Sequence, residues 1–232
     1  MSDLINKKIF STSLAIEDLA SYISSQLNSL FPDNSEIDRN ILKPYVSKAL
    51  ERLRWCFIHL PIKGFYGNGE YKYSHLNTDQ HAIFLYFLCN TIFNENGPQY
   101  LAEKIYALNK LFHSVDIFYE VKMPDIFVLV HPVGTVLGRA NYSDYFCAYH
   151  NVSIGSDLEG NMPSFGKGVV MFNGSKVIGK SSIGGNCFIS LGAIIISEDI
   201  KRDSLVFGQS PNLTLKNKVM QIIFINFKFF CK

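Results

Sequence analysis

"PSFGKGVVMFNGSKVIGKSSIGGNCFISLGAII", residues 163–195, is the stretch on which the fold of this chain turns. Phe165, Met171, Val177, Ile183, Ile189 and Ile195 recur at every sixth position. Two places before each stands a small or compact residue: Pro163, Val169, Ser175, Ser181, Cys187 and Ala193. Glycines at 166, 168, 174, 179, 184, 185 and 192 punctuate the same run. A period of six fits neither a helix nor a flat amphipathic strand. It fits a three-sided parallel β-helix, in which each hexad supplies one short strand and one tight corner. The aliphatic residue fills the interior, and glycine lets the corner backbone turn. Upstream, Val130, Val136, Tyr142, Ala148 and Ile154 keep the same step with less regular residue types. The series breaks once, at "GSDLEGNMPS" between Ile154 and Phe165. That break predicts a loop extruded from the coil, which is where a regular solenoid tends to carry function.

The first half of the chain has another pattern. In "SLAIEDLASYISSQLNSLF" Leu14, Leu19, Ile23, Leu27 and Leu30 fall at three- and four-residue steps, the spacing of one helix face. Segments near 38–60, 78–93 and 98–112 read the same way, the last opening at Pro98, which suits a first helical turn. "IKGFYGNGEYKYSHLNTD" between them, rich in Gly, Asn and Tyr, reads as a loop. The expected class is α+β: an α-helical domain over 1–112, a β-helix over 113–216, and an apolar tail over 217–232. The tail's "VMQIIFINFKFFCK" is too short to span a bilayer. Packing against the helical half, adding a strand and touching a membrane are its three readings, ranked in that order.

Composition narrows the function classes. The chain has 232 residues, of which 47% are hydrophobic and 18% charged, a globular balance. A formal net charge of +2 with no dense Lys/Arg run argues against nucleic acid. Five widely spaced cysteines without a CxxC pair fit reduced thiols better than disulfides or a zinc site. With no signal pattern at the start and no membrane-length apolar run, a cytoplasmic protein is expected.

One residue stands out against this background. "DIFVLVHPVGTVLG", residues 125–138, is nearly all apolar yet holds His131. A core histidine satisfied by a backbone carbonyl is the bland reading. The other is an imidazole used for chemistry, since its titration near neutral pH suits a general base.

Particular motifs favour the second reading. "SVDIF" at 114–118 resembles a "VDIHP" segment, "VHPVGTVLG" at 130–138 a "DHATGIVIG", "NVSIG" at 151–155 an "SVTLGG", and "FGQSPN" at 207–212 a closing "AGVPAR". All four belong to the serine acetyltransferase branch of the hexapeptide-repeat acyltransferases, which the chain resembles over roughly 75–216. The resemblance implies a left-handed parallel β-helix, acetyl-CoA as co-substrate, and no metal. It implies that Asp116, fifteen residues before His131, pairs with it. A carboxylate on the second imidazole nitrogen fixes the tautomer and stabilises the imidazolium, as acyl transfer to a hydroxyl requires. Backbone N–H groups near Gly155 are expected to meet the oxyanion. The pattern implies that Gly155, Asn173, Gly174, Ser190, Leu191 and Gly192 line the CoA groove, completed by a neighbouring coil in a homotrimer or a hexamer of paired trimers.

The departures from the family matter too. Val130 stands where serine acetyltransferases carry an aspartate before the histidine, and Asn161-Met162-Pro163 replaces a carboxylate-gripping Arg-His-Pro. Losing that fork and that acid weakens the grip on a free amino acid. "HNVSIG…NMP" is similar to members that acetylate colanic-acid-type polysaccharides. The leading expectation is therefore a sugar hydroxyl of a cell-surface polysaccharide as acceptor, with His150, Asn161 and Met162 contacting it. Serine O-acetylation and a non-catalytic scaffold are the alternatives. A zinc carbonic anhydrase needs three histidines, and the coil offers His131 and His150 alone.

Overall fold

The computed structural model describes residues 9–60, 66–67 and 70–217, in two compact units, Met1–His113 and Ser114–Lys232. Four helices make up most of the first: α1 Ile16–Leu30, α2 Arg39–Ile58, α3 Thr78–Asn94 and α4 Gln99–His113. In α1 the expected face buries Leu19, Ile23 and Leu27 fully, whereas Leu30 at its end is exposed. Side-chain oxygens of Asp38 and Asn77 accept from the backbone N–H groups of Asn40 and Gln80 and so cap α2 and α3. Helix α3 is buried on every face from Gln80 to Ile92, which makes it the centre of this unit.

The loop expected over 62–79 is in part a sheet. β1 Ile9–Thr12 pairs in parallel with β3 Glu70–Tyr73, which pairs antiparallel with β2 Tyr66–Gly67. Tyr71 and Tyr73 are buried and Lys72 is exposed, so a period of two was present under the Gly/Asn-rich flanks.

The second unit is a left-handed parallel β-helix. Its first side stacks β4 Phe127–Leu129, β6 Phe146–Ala148, β9 Val170–Met171, β12 Phe188–Ile189 and β14 Ser204–Gln209. The second stacks β5 Val136–Leu137, β7 Ser153–Gly155, β10 Lys176–Ile178 and β13 Ile194–Ile196. The third holds β8 Ser164–Phe165 and β11 Ser182–Ile183, extended by bridges from Asn141 and Ile200. β15 Asn212–Asn217 folds back antiparallel on β14.

The six aliphatic positions of 163–195 all point inward: Phe165, Met171, Val177, Ile183, Ile189 and Ile195 are at most 3% exposed. Their partners two places earlier are buried as well. Each fully buried aliphatic side chain contributes about 1.5–3 kcal/mol relative to exposure. The upstream register differs. Val136 is 42% exposed, and the inward residues of the first coil are Leu129 and Leu137, which pair with Ala148 and Ile154. From Leu129 to Leu137 takes eight residues, where Ala148 to Ile154, Met171 to Val177 and Ile189 to Ile195 each take six. The first corner therefore carries two extra residues, so the inward residues fall one place before Val130 and one place after Val136. Tyr142 is half-buried, its ring stacked on Phe165 at 5.4 Å.

The C-terminal tail beyond Asn217, including Lys218 and Cys231, lies outside the described residues, as does any membrane contact through it. Among the described residues no helix is long and apolar enough to cross a membrane.

Candidate active site

The enlarged corner between the first and second sides holds His131, and this is why an apolar run carries an imidazole. His131 adopts φ +48° and stands exposed, so it is not a core histidine. Its carbonyl accepts from Val133 N–H (2.7 Å), and Thr135 N–H donates to the Pro132 carbonyl (3.1 Å), closing the turn. Gly134 has φ +73°, a backbone that strains any other L residue, and a Cβ there would also push against Oδ1 of Asn151.

Hydrogen bonds between coils stack this corner into a column. Gly134 N–H donates to the Ser114 carbonyl (2.9 Å), Asn151 to Val133 (3.0 Å), Gly174 to His150 (3.0 Å) and Gly192 to Asn173 (3.1 Å). Asp116 enters beside it. Its N–H donates to Thr135 (2.8 Å), its carbonyl accepts from Leu137 (2.9 Å), and it bridges Val136 in parallel. The winding thus lays the Asp116 segment against the turn that carries His131, across fifteen residues of sequence. His150, half-buried, sits on the next coil of the same column, and Asn173, Gly174, Ser190, Leu191 and Gly192 follow on the two after it.

Two members of the column suit a ligand. Ser190 is 7% exposed, and its Oγ has no hydrogen-bond partner among the described residues, an orphaned hydroxyl at the corner. Leu191 is 65% exposed, and beside it a Cβ on Gly192 would meet nothing within 4 Å.

The extruded loop lies elsewhere. Gly155 ends β7, opposite Ile178, and its carbonyl accepts from Gly179 (3.1 Å), at the far edge of the second side from the histidine corner. The loop that follows is organised by Asp157. Its Oδ1 accepts from the N–H groups of Glu159 (3.0 Å) and Asn161 (2.9 Å), and its Oδ2 accepts from Asn161 Nδ2 (2.9 Å). These bonds, Asn161's first, lower the Asp157 carboxyl below its ordinary range. Asn161, expected to contact an acceptor, has its amide engaged within the loop; Met162 is 50% exposed. Within one chain the structure does not bring Gly155, Asn161 or Met162 to the His131 corner.

Nucleophilic cysteine chemistry has little support here. Cys56, Cys89, Cys147 and Cys187 form no disulfide and are buried, and burial pushes the Cys89 and Cys147 thiols up to about 12. Among the described residues no group of His, Cys, Asp and Glu could hold a metal ion.

The sequence reading passed over Thr135, Gly134 and Asn151. The signal for Thr135 was a hydroxyl at the inward position just before β5, and for Gly134 a glycine within the enlarged turn that precedes it.

No protein-family model matches the chain. Over 132 residues it is 27% identical to a Schizosaccharomyces pombe (strain 972) protein described as "Putative serine acetyltransferase", covering 55% of this chain. The match spans 48% of that protein, about half its length. Among solved structures, a serine acetyltransferase in complex with CoA superposes with a TM-score of 0.67 at 17% identity, over 88% of this chain and 86% of that one. The serine acetyltransferase of Brucella abortus strain S19 gives 0.63 at 16%, over 88% and 84%. That of Neisseria gonorrhoeae gives 0.64 at 20%, over 89% and 81%. At these identities the likeness establishes the fold: helices followed by a left-handed β-helix.

Proposed function

We propose that this chain is an acetyl-CoA-dependent O-acetyltransferase with His131 as general base and Asp116 as its partner. The observation that carries the reading is the stacked corner, on which the Asp116 segment, the exposed His131 and the half-buried His150 occupy adjoining levels. In the reaction, the acceptor hydroxyl oxygen attacks the thioester carbonyl carbon while the imidazole takes the hydroxyl proton. The C–S bond breaks, the proton passes to the departing sulfur, and an acetate ester and a free thiol result. Asp116, on the second ring nitrogen, holds the tautomer and stabilises the transient cation. The raised, buried Cys147 thiol favours direct transfer over a covalent enzyme intermediate.

Asn173, Gly174, Ser190, Leu191 and Gly192 would hold the co-substrate along the column, where Ser190 Oγ supplies an unpaired hydroxyl for an amide of the pantetheine arm. Gly155, Asn161 and Met162 lie at the opposite edge of the side, so a second copy would have to present them. That need supports a homotrimer, with paired trimers as the hexameric form. Sedimentation that gives a monomer at assay concentration would count against it.

For the acceptor, the name of the S. pombe relative and the serine acetyltransferase neighbours favour L-serine over the polysaccharide expected from motif departures. A sugar hydroxyl remains as a second reading because of two observations. Val130, beside His131, is apolar and 5% exposed, and the Asn161 amide is already held by Asp157. Neither supplies a charge for an ammonium or a carboxylate.

Thiol release from acetyl-CoA, screened with L-serine, nucleotide sugars and oligosaccharides against an acceptor-free control, separates these readings. Serine-dependent release above the control, lost in His131→Ala, supports the first. Release with a sugar alone supports the second. No release above the control in any arm would leave a scaffold, and equal acceptor-dependent release in wild type and His131→Ala would remove His131 as the base.

A further inference from the structure

Along the second side, Thr135, Val152, Ser175 and Ala193, each just before a strand, share one buried position two places before Leu137, Ile154, Val177 and Ile195. Where such inward residues carry hydroxyls, most bond inside their own turn. Ser175 Oγ donates to the Phe172 carbonyl (2.6 Å), Ser181 Oγ to Ile178 (3.2 Å) and Ser204 Oγ to Lys201 (2.7 Å), each three residues back.

Thr135 departs from this pattern. It is fully buried, and its Oγ1 donates across to the Tyr149 carbonyl (2.6 Å) and accepts from Val152 N–H (3.3 Å) on the next coil. Tyr149 and Val152 bracket His150 and Asn151. The same residue's N–H closes the His131 turn on the Pro132 carbonyl. One side chain and its own amide thus tie together the two turns that carry the coil's histidines. Tyr149, which supplies that carbonyl, packs its ring edge-on against Phe172 with centroids 4.7 Å apart.

We propose that Thr135 is a positioning residue that fixes the spacing of the His131 and His150 turns. This rests on the reading of His131 as base and extends it: His150 acts on the acceptor held by the same corner, and Thr135 keeps the two rings in register. A small misplacement of a reacting group can lower turnover by up to about a hundredfold. Valine keeps the shape of Thr135 and removes both bonds; serine keeps the hydroxyl.

The test compares wild type, Thr135→Val, Thr135→Ser and His131→Ala in thiol release from acetyl-CoA with the acceptor found in the screen. Thr135→Val should lower kcat about tenfold while leaving KM for acetyl-CoA within about twofold, and Thr135→Ser should restore most of the rate. Wild-type kcat in Thr135→Val, or a Thr135→Ser as slow as it, overturns the proposal. A His131→Ala that keeps full turnover overturns the base assignment instead. Imidazole NMR signals give a readout independent of turnover. Those of His131 and His150 should both shift in Thr135→Val and return in Thr135→Ser; unchanged signals reject the positioning role whatever the kinetics.

Discussion

His81, in the helical unit, and His131, in the coil, are the same side chain in opposite surroundings. His81 lies in α3, 3% exposed, with Nδ1 2.8 Å from the Tyr73 hydroxyl and its ring stacked near Phe84 and edge-on to His113. Its Nε2 has no hydrogen-bond partner among the described residues. Burial, with His113 and His75 adding to it, pushes its pKa down to about 3. Such an imidazole stays neutral at pH 7 and exchanges no proton with a substrate. His131 stands on an enlarged, exposed turn with left-handed backbone. The difference shows where each unit places a polar ring: the helices absorb an imidazole into packing, and the coil raises one out of an apolar run to the surface.

Exchanging the roles tests this contrast most severely. His131→Ala should lower turnover by about 10²–10⁴ with the fold intact, the range for losing a general base, measured by thiol release and circular dichroism. His81→Ala should leave any surviving folded protein catalytically normal per molecule and act on stability instead. A result the other way round would invert the comparison.

Asp116→Asn, which keeps shape and removes charge, should lower kcat by up to about 10⁴-fold and change the pH profile. An unchanged profile would detach Asp116 from the imidazole.

The buried imidazole should be visible in stability against pH. Its folded value of about 3 lies below the unfolded 6.5, so between these the unfolded chain binds the extra proton. Stability is therefore full above pH 6.5 and falls as pH drops from there towards 3, by about 2 kcal/mol at pH 5. His113, lowered by its own burial, adds in the same direction. Denaturant melts at pH 7 and 5 should show the loss in wild type and a flatter response in His81→Phe; equal slopes would mean that His81 is not the group titrating.

The smallest effect is expected at Cys147. With its thiol held up to about 12, Cys147→Ala should keep kcat within about twofold, while a large loss would reopen covalent transfer.

Much of this architecture was open to reading from residue order. All six aliphatic hexad positions from Phe165 to Ile195 face the interior, and α1, α2, α3 and α4 lie where helical spacing put them. In the site, the family resemblance implied that Asp116 pairs with His131; the structure lays Asp116 beside Val136, with its N–H on the Thr135 carbonyl, just past the turn that carries the histidine. Val136 was misplaced because two residues added at a corner leave the apolar character of a run unchanged and alter only which members face in. Asn161 looked available for an acceptor because its bonds to Asp157 arise from the conformation of the loop, about which residue types say little.

Residue order by itself determined the coil, because every side of such a helix repeats one environment at one interval and so writes its period directly into the chain. Only the tertiary structure decided which side chains share a corner. The bonds that do so, Asn151 to Val133, Gly174 to His150 and Thr135 to Tyr149, join residues fourteen to twenty-four apart whose meeting depends on how many residues each turn of the winding consumes.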